Sequence, residues 1–195
     1  MNLFEQIDAA RERWNVLRHP FYTRWERGEL TRGEIAFYAG EYRHAVVALA
    51  DAATASGDSE HAHEEAGHVA LWDEFATALD ADLEREPTSE TRACATAWAP
   101  HRRDEALAVL YAVESSQPAI AETKLAGLAE HYGFTPDQPA TEYFTVHASR
   151  DHEHATAARA ALAGAAPVDV ARLVEAAEGA LRANWLLLDG VERAA

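Results

Sequence analysis

Cysteine, lysine and long apolar runs are scarce in this sequence, and their scarcity excludes several classes of protein. The single cysteine, Cys94, cannot form a disulfide within the chain. Charged residues interrupt every apolar stretch before the roughly 20 residues that a bilayer span requires, and the N-terminal segment lacks a basic stretch followed by an apolar one. We therefore expect a soluble protein of the reducing cytoplasm, with no membrane among its partners.

Basic residues are also few in comparison with acidic ones. The chain carries 33 acidic and 17 basic residues, which gives a net charge of −16. Because such an excess repels nucleic acid and anionic membranes, neither is expected as the main partner. Among the basic residues Lys124 is the only lysine, and all the others are arginines.

The pattern of apolar residues is helical almost throughout, and it predicts an all-α bundle in a single domain, residues 1–195. Thr31 begins a capping box, Ser59 can cap the following helix, and Pro118 predicts a kink near Ser115 or Ser116 in the longest one. The seven predicted helices cover about residues 3–18, 31–55, 59–79, a short segment between 87 and 100, 104–132, 141–163 and 168–191.

A metal-binding pattern lies in the sixth predicted helix, where His147, Asp151 and His154 are spaced four and then three residues apart. At about 100° per residue, their side chains fall within an arc of about 60° and can point at one atom. Two imidazoles and a carboxylate suit iron, manganese or zinc. The alternative interpretation is a histidine-rich face exposed to solvent.

Two other predicted helices offer matching ligands. Glu65 and His68 have the Glu-x-x-His spacing of di-iron carboxylate bundles. Glu114 follows a long apolar run, where an unpaired carboxylate is costly to bury and needs a partner such as a cation. The alternatives are a Glu114 bonded to serine hydroxyls or water, a core His68 and an exposed Glu65. Counted together, the three helices supply six ligands, which suits two metal ions.

Five segments of the chain also match a known family. They are His19-Pro-Phe-Tyr22, Tyr38-Ala-Gly-Glu-Tyr42, His68-Val-Ala-Leu-Trp72, Tyr111-Ala-Val-Glu114-Ser-Ser-Gln117 and the segment from Tyr143 to His154. With them the chain resembles the heme-oxygenase-like superfamily of TenA proteins and pyrroloquinoline-quinone synthase. Within it, the resemblance is to the dimetal oxidases typified by the chlamydial protein associating with death domains, a self-sacrificing 4-aminobenzoate synthase. The resemblance implies a seven-helix heme-oxygenase-like bundle.

The resemblance also implies functional residues. Lys124 lies ten residues after Glu114, where the subgroup carries its functional lysine, and functional aromatic residues of the subgroup match Tyr22, Tyr38, Trp72 and Tyr143. By this analogy Tyr22 supplies an aromatic ring and Lys124 an amino nitrogen, Tyr38 and Tyr143 move radicals or position the ring, and Trp72 shapes the wall of the site. Ordinary core packing is the alternative for the aromatic residues.

The implied reaction makes 4-aminobenzoate for folate synthesis. Its cofactors are two metal ions, iron with iron or with manganese, and its co-substrates are dioxygen and an external reductant. The implied partners are an electron donor and a second copy of the chain in a homodimer.

The chain departs from the family pattern at the first metal ligand. The first ligand of the family is typically a glutamate upstream of the histidine that corresponds to His68, often seven residues before it, and His61 stands there in this chain. Glu65 or Glu64 can substitute from the adjacent turn, since both lie within about 60° of His68 on a helix. We favour Glu65. If neither carboxylate binds, a mononuclear site is the alternative.

Three other functions remain open at the level of the sequence. The same dimetal centre can oxidise an external amino acid or fatty acid, and the tyrosines then only line the active site. A metal-free hydrolase of the TenA kind is a second alternative. Such enzymes usually rely on a cysteine or glutamate, and we expect Cys94 to lie in a short, peripheral helix outside the apolar fifth one. The third alternative is a binding module without catalysis, which has no need of inward acids and histidines.

Overall fold

The computed structural model describes residues 1–164 and 169–194, and within them the chain is all-α. The described part contains no strand and nine α-helices, together with a 3-10 turn at Val16–Arg18. The helices are α1 (Leu3–Arg13), α2 (Pro20–Glu26), α3 (Arg32–Ser56), α4 (Ser59–Ala78), α5 (Ser89–Trp98), α6 (Arg103–Glu114), α7 (Gln117–His131), α8 (Pro139–Ala163) and α9 (Val170–Ala194). The all-α prediction is confirmed.

Within the described residues, the structure has two helices more than predicted, because one short helix was missed and one predicted helix is divided in two. The first predicted helix ends at Arg13 instead of residue 18, and a short helix that the pattern did not indicate follows, with His19 as its N-cap and Pro20 at its first position. The predicted fifth helix is divided at Ser115 and Ser116, where a kink was expected. Pro118 lies in the first turn of α7, where its missing N–H costs nothing.

The helix ends follow ordinary capping chemistry. Thr31 forms the predicted capping box with Glu34. Ser59 does not cap α4 as predicted, since the side chain of Asp58, one residue earlier, accepts hydrogen bonds from the first-turn amides. The predicted start of the last helix at Val168 lies outside the described residues.

The helices pack around one buried apolar core. Helices α3 and α8 each pack against both α4 and α6. Helices α5 and α9 pack together against α3 and α6, and α7 lies along α8 with α2 against it. Trp72 on α4 donates from its indole nitrogen to the carbonyl of Ala39 on α3 at 2.8 Å, which fixes the two helices together. In the part of the chain that the structure describes, every helix is too short or too polar to span a bilayer.

Candidate metal centre

Three central helices place histidines and carboxylates on their inner faces. On α4 the ligand-type residues recur at spacings of four and three, α6 contributes its last residue, and α8 repeats the spacings of four and three. A helix brings residues at these spacings onto one side, so each helix presents its set towards the others. We call the seven residues the donor cluster: His61, Glu65, His68, Glu114, His147, Asp151 and His154, all buried except the partly buried His154.

One group of donor atoms lies at the end of the cluster formed by His61 and His154. Nε2 of His61 lies 2.9 Å from Oε1 of Glu114 and 3.7 Å from Oε1 of Glu65. The rings of His61 and His154 are 4.2 Å apart, and Nδ1 of His154 is 3.9 Å from Oε1 of Glu65. One ligand atom from each of these four residues lies within 4.8 Å of all the others, a spacing that a single metal ion can bridge.

A second group of donor atoms lies beside the first and shares Glu65 with it. Nδ1 of His68 is 2.9 Å from Oε1 of Glu65, and the rings of His68 and His147 are 4.5 Å apart. Ligand atoms of Glu65, His68 and His147 again lie within 4.8 Å of one another. The carboxylate of Glu65 thus stands between two potential metal positions.

The donor atoms lack the hydrogen bonds that buried polar atoms normally have. Eight buried side-chain nitrogen or oxygen atoms among the described residues have no hydrogen-bond partner, and seven of them belong to the donor cluster. Each such atom costs about 1–3 kcal/mol when it is left unsatisfied, so their concentration in one place is unfavourable unless something binds there. A pair of metal ions fits this arrangement, because imidazole nitrogens and carboxylate oxygens are ligands that iron and manganese accept.

Asp151 and Glu64 hold two of the histidines in place. Both oxygens of Asp151 lie within 2.9 Å of Nδ1 of His147, which turns the other ring nitrogen into the cluster, and one of them is 3.9 Å from Nδ1 of His154. Glu64 bonds Nε2 of His154 at 3.0 Å and Arg150 at 2.7 Å. Carboxylates commonly orient metal-binding histidines in this way. The structure therefore brings Glu65 into the cluster and places Glu64 behind it.

Burial disfavours the charged forms of the carboxyls in the cluster, so a cation bound beside them would offset its cost. Burial raises the pKa of the Glu114 carboxyl to about 8 and that of the Asp151 carboxyl to about 8. It lowers the pKa of His147 to about 3, so this imidazole stays neutral with a free lone pair. Burial also acts to raise the pKa of Glu65, but the neighbouring His61 and His68 outweigh it and hold that pKa well below its usual range.

The only lysine of the sequence lies in a second buried region. The ammonium nitrogen of Lys124 on α7 is surrounded by aromatic rings, and no carboxylate of the described residues lies within 4.0 Å of it. We call this region the aromatic chamber: Nζ of Lys124 is 5.6 Å from the ring of Tyr22, 5.3 Å from those of Tyr38 and Trp72, 4.6 Å from that of Tyr42 and 5.4 Å from that of Phe144. Burial lowers the pKa of Lys124 to about 7.

Aromatic contacts connect the chamber to the donor cluster. The ring of Tyr143 is 4.2 Å from that of His147 and 4.8 Å from that of Trp72. Trp72 is in turn 6.0 Å from Tyr38, whose hydroxyl shares a 3.1 Å hydrogen bond with that of Tyr22. The structure thus brings Tyr22, Tyr38 and Trp72 around Lys124 and places Tyr143 between Trp72 and the donor cluster.

Tyr42 is a chamber residue that the sequence analysis did not single out. Its ring is nearer to the lysine nitrogen than that of Tyr22 or Tyr38. Its hydroxyl accepts a 3.4 Å hydrogen bond from Gln117. The signal in the sequence was its place one helical turn after Tyr38, within a segment that already matched the family.

Trp25 joins the two helices that carry Tyr22 and Lys124. Its indole nitrogen donates to the backbone carbonyl of Lys124 at 3.2 Å, and its ring is 6.5 Å from that of Tyr22. The ring lies so close to Gly127 that a Cβ there would be 2.6 Å from it. The absence of a side chain at residue 127 is therefore what lets α2 approach α7.

Cys94 is poorly suited to act as a nucleophile. Although α5 is short, Cys94 is fully buried in the core instead of lying at the periphery, and burial raises its thiol pKa. A thiol with a raised pKa is rarely present as the reactive thiolate.

Comparison with known proteins identifies relatives over nearly the whole chain. The family described as iron-containing redox enzymes matches residues 42–187. A 4-aminobenzoate synthase of Nitrosomonas europaea is 32% identical to the chain, covering 96% of the chain and 89% of the relative. A 4-aminobenzoate synthase of Chlamydia trachomatis is 30% identical, with 97% of the chain and 91% of the relative covered.

Solved structures confirm the fold. A heme-oxygenase-like domain from Shewanella denitrificans superposes with a TM-score of 0.79 at 21% identity, covering 99% of this chain and 93% of that domain. A TenA homologue from P. horikoshii superposes with a TM-score of 0.75 at 18% identity and 99% coverage of both chains. The predicted heme-oxygenase-like bundle is therefore the fold of this protein.

Proposed function

The chain belongs to the family of iron-containing redox enzymes, and on that premise we propose that it is an oxygen-dependent 4-aminobenzoate synthase that consumes its own side chains. In this proposal Tyr22 supplies the aromatic ring of the product and Lys124 supplies its nitrogen. The product serves folate synthesis.

The observation that carries the proposal is the position of the only lysine. Lys124 lies in the aromatic chamber, where its nitrogen faces the rings of Tyr22, Tyr38 and Tyr42. With a pKa of about 7, a large fraction of the amine is neutral at physiological pH and has a free lone pair. An ordinary structural lysine has no reason to be fully buried away from carboxylates.

The structure of the product defines which bonds of Tyr22 and Lys124 must break. The ring of tyrosine carries an oxygen and Cβ at para positions, and 4-aminobenzoate carries nitrogen and a carboxyl carbon there. The C–O bond of Tyr22 must therefore break, with its oxygen leaving as water, and the C–N bond of Lys124 must break as a new C–N bond forms. The carbon of Lys124 that loses nitrogen is left oxidised to an aldehyde. Cβ must be oxidised to a carboxylate as the Cα–Cβ bond of Tyr22 breaks. Dioxygen is the oxidant, and an external reductant supplies the remaining electrons.

The donor cluster is the proposed binding site for the metal cofactor. Glu65, His68, Glu114, His147 and His154 would hold two metal ions, iron with iron or iron with manganese, and Asp151, which the sequence predicted as a ligand, would orient His147. When bound, the metals supply the reaction with dioxygen and the reductant. Burial of the cluster excludes water, and the contact of Asp151 with His147 keeps that imidazole directed at the metal.

The aromatic residues between the two regions connect the oxidising centre with its target. Tyr143 and Trp72 lie in contact between His147 and the chamber. The hydroxyls of Tyr38 and Tyr22 share a hydrogen bond, which positions the ring of Tyr22. Burial raises the pKa of Tyr22, Tyr38 and Tyr143, so all three keep their protons until they are oxidised.

Intact mass measurement tests the proposal directly. The iron-loaded protein is exposed to dioxygen and a reductant, and mass and 4-aminobenzoate are measured over time. We expect at most one product molecule per chain, with a matching loss of mass at Tyr22 and a change at Lys124. Tyr22→Phe should make no product while binding metal normally.

Tyr111→Phe is the matched control, because the hydroxyl of Tyr111 bonds Asp8 and Arg159 and does not contact Lys124. It should make product like the unmodified protein. Product formation by Tyr22→Phe, or repeated turnover with Tyr22 intact, would instead identify an enzyme that oxidises an external amino acid or fatty acid.

The proposal includes a cellular setting and partners. The reaction takes place in the reducing cytoplasm, where an electron donor meets the protein, and the chain forms a homodimer. Size-exclusion chromatography with light scattering measures the oligomeric state.

A further inference from the structure

Nε2 of His61 is directed into the donor cluster from the first turn of α4. The side chain of Asp58 accepts hydrogen bonds from the amides of Glu60 and His61, which fixes the backbone of this turn. Only 9% of His61 is exposed, and Nε2 is one of the buried atoms without a hydrogen bond. Its neighbours are ligand atoms of Glu65, Glu114 and His154.

We infer that His61 is a sixth metal ligand, an inference that rests on the proposed dimetal function. With His61 included, the two metal positions differ in their number of ligands. The outer position is formed by His61, Glu114 and His154, the inner position is formed by His68 and His147, and Glu65 is shared between them.

A simple ion pair between His61 and Glu114 does not explain the arrangement. Their atoms are 2.9 Å apart, but Nε2 and both oxygens of Glu114 lack a hydrogen bond of acceptable geometry. His147 and Asp151, in the same cluster, form a well-aligned hydrogen bond at 2.8 Å. The cluster can thus build an aligned pair, and His61 is instead aimed with Glu114 at a shared point.

The outer position also lies nearer to solvent. His61 lines a surface cleft of about 370 Å³ with Asp58 and Arg103, and a second cleft of about 250 Å³ with Glu64 and His154. The inner position lies against the buried Tyr143, 6.4 Å from His68 between ring centres. The outer position therefore has more ligands and easier access, and it fills first.

Titration of the metal-free protein with Co²⁺, followed by visible absorption, tests the inference without relying on activity. We expect the unmodified protein to bind two ions per chain in two steps, the tighter one at the outer position. His61→Ala should weaken the tighter step by about tenfold or more, since removal of residues that merely orient ligands already costs 10–100-fold. The absorption spectrum of the first ion should change as well.

His63→Ala is the matched control, because His63 is an exposed histidine on the same helix. It should titrate like the unmodified protein. If circular dichroism shows that His61→Ala is misfolded, His61→Gln replaces it, and a weakened first step is again expected.

The possible results separate the inference from the function on which it rests. Equal affinities and spectra in His61→Ala and the unmodified protein would overturn the role of His61 and leave the dimetal centre standing. An unmodified protein that binds no Co²⁺ and no Fe²⁺ would overturn both.

Discussion

The donor cluster and the aromatic chamber are adjacent buried regions with different electrostatic environments. The cluster concentrates three carboxylates and four imidazoles, with seven atoms that lack hydrogen bonds. The chamber holds one amine among rings, with no carboxylate in contact among the described residues. Tyr143 touches both regions, through His147 on one side and Trp72 on the other.

The difference between the regions shows two solutions to the cost of a buried charge. A carboxylate or an ammonium group loses its hydration in the interior and must find a partner or change its protonation state. The cluster has the ligands to bind cations, whereas the chamber favours the neutral form of Lys124. The first solution suits a metal cofactor and the second suits an amine that has to react.

The largest effect should follow from removing the ligand shared by both metal positions. In Glu65→Gln, one neutral amide replaces the only carboxylate that belongs to both groups of donor atoms. We expect metal content to fall from two ions per chain to a trace and product formation to fall at least about 100-fold, beyond the loss seen for residues that only orient ligands. Metal analysis of the purified protein measures this loss.

Glu64→Gln is the neighbouring control. Glu64 bonds His154 but lies outside the cluster, so metal affinity should fall only about 10-fold to 100-fold. Equal losses in the two variants would contradict the assignment of Glu65 as the ligand.

Replacement of Lys124 tests the chamber through the pH dependence of stability. Burial lowers the pKa of Lys124 from 10.5 to about 7 in the folded state, so between these values the unfolded chain binds more protons than the folded one. Stability therefore rises with pH across this window, and below it the full penalty for the buried charge applies. Lys124→Met removes the effect.

Chemical denaturation at several pH values measures this difference. The free energy of unfolding of Lys124→Met minus that of the unmodified protein should be larger at pH 6 than at pH 10, by on the order of 4 kcal/mol. A difference that does not vary with pH would mean that Lys124 is not desolvated.

The smallest effect should come from Gly127→Ala, which alters the support of the chamber without touching its chemistry. A Cβ at this residue would lie 2.6 Å from the ring of Trp25, which is fully buried and has little freedom to move. We expect a loss of about 1–3 kcal/mol of stability and a weakened bond from Trp25 to the Lys124 carbonyl. Thermal and chemical unfolding measure the loss.

Gly179→Ala is the control for this variant, since a Cβ there meets nothing within 4 Å. It should keep or slightly raise stability, as alanine usually does in a helix. A similar loss in both variants would show that the contact with Trp25 is unimportant.

Most of the fold could be predicted from the sequence because helical periodicity and capping are local signals. The Thr31 capping box and the interruption near Ser115 were found in this way. The short helix α2 was missed, because its seven residues are too few for a clear period and its start depends on the ring nitrogen of His19 bonding the amide of Phe21.

The site was predictable only in part. Spacing on a helix placed His147, Asp151 and His154 on one face, and a resemblance singled out Lys124 and its aromatic neighbours. Spacing could not separate Glu64 from Glu65, because both lie within about 60° of His68 on the helix. The packing of α4 against the neighbouring helices decides which of the two points into the cluster. Spacing placed Tyr42 one turn after Tyr38, but it could not show that the ring of Tyr42 lies 4.6 Å from a lysine 82 positions later in the chain.

By itself, the sequence determined an acidic, all-helical chain with three ligand-bearing helices and a single lysine, since charge, periodicity and composition are properties of the chain. The tertiary structure decided that those helices face one another, that Glu65 stands between two groups of donors, and that His61 joins them. These are relations between helices distant in sequence, and they are fixed by packing rather than by any local pattern.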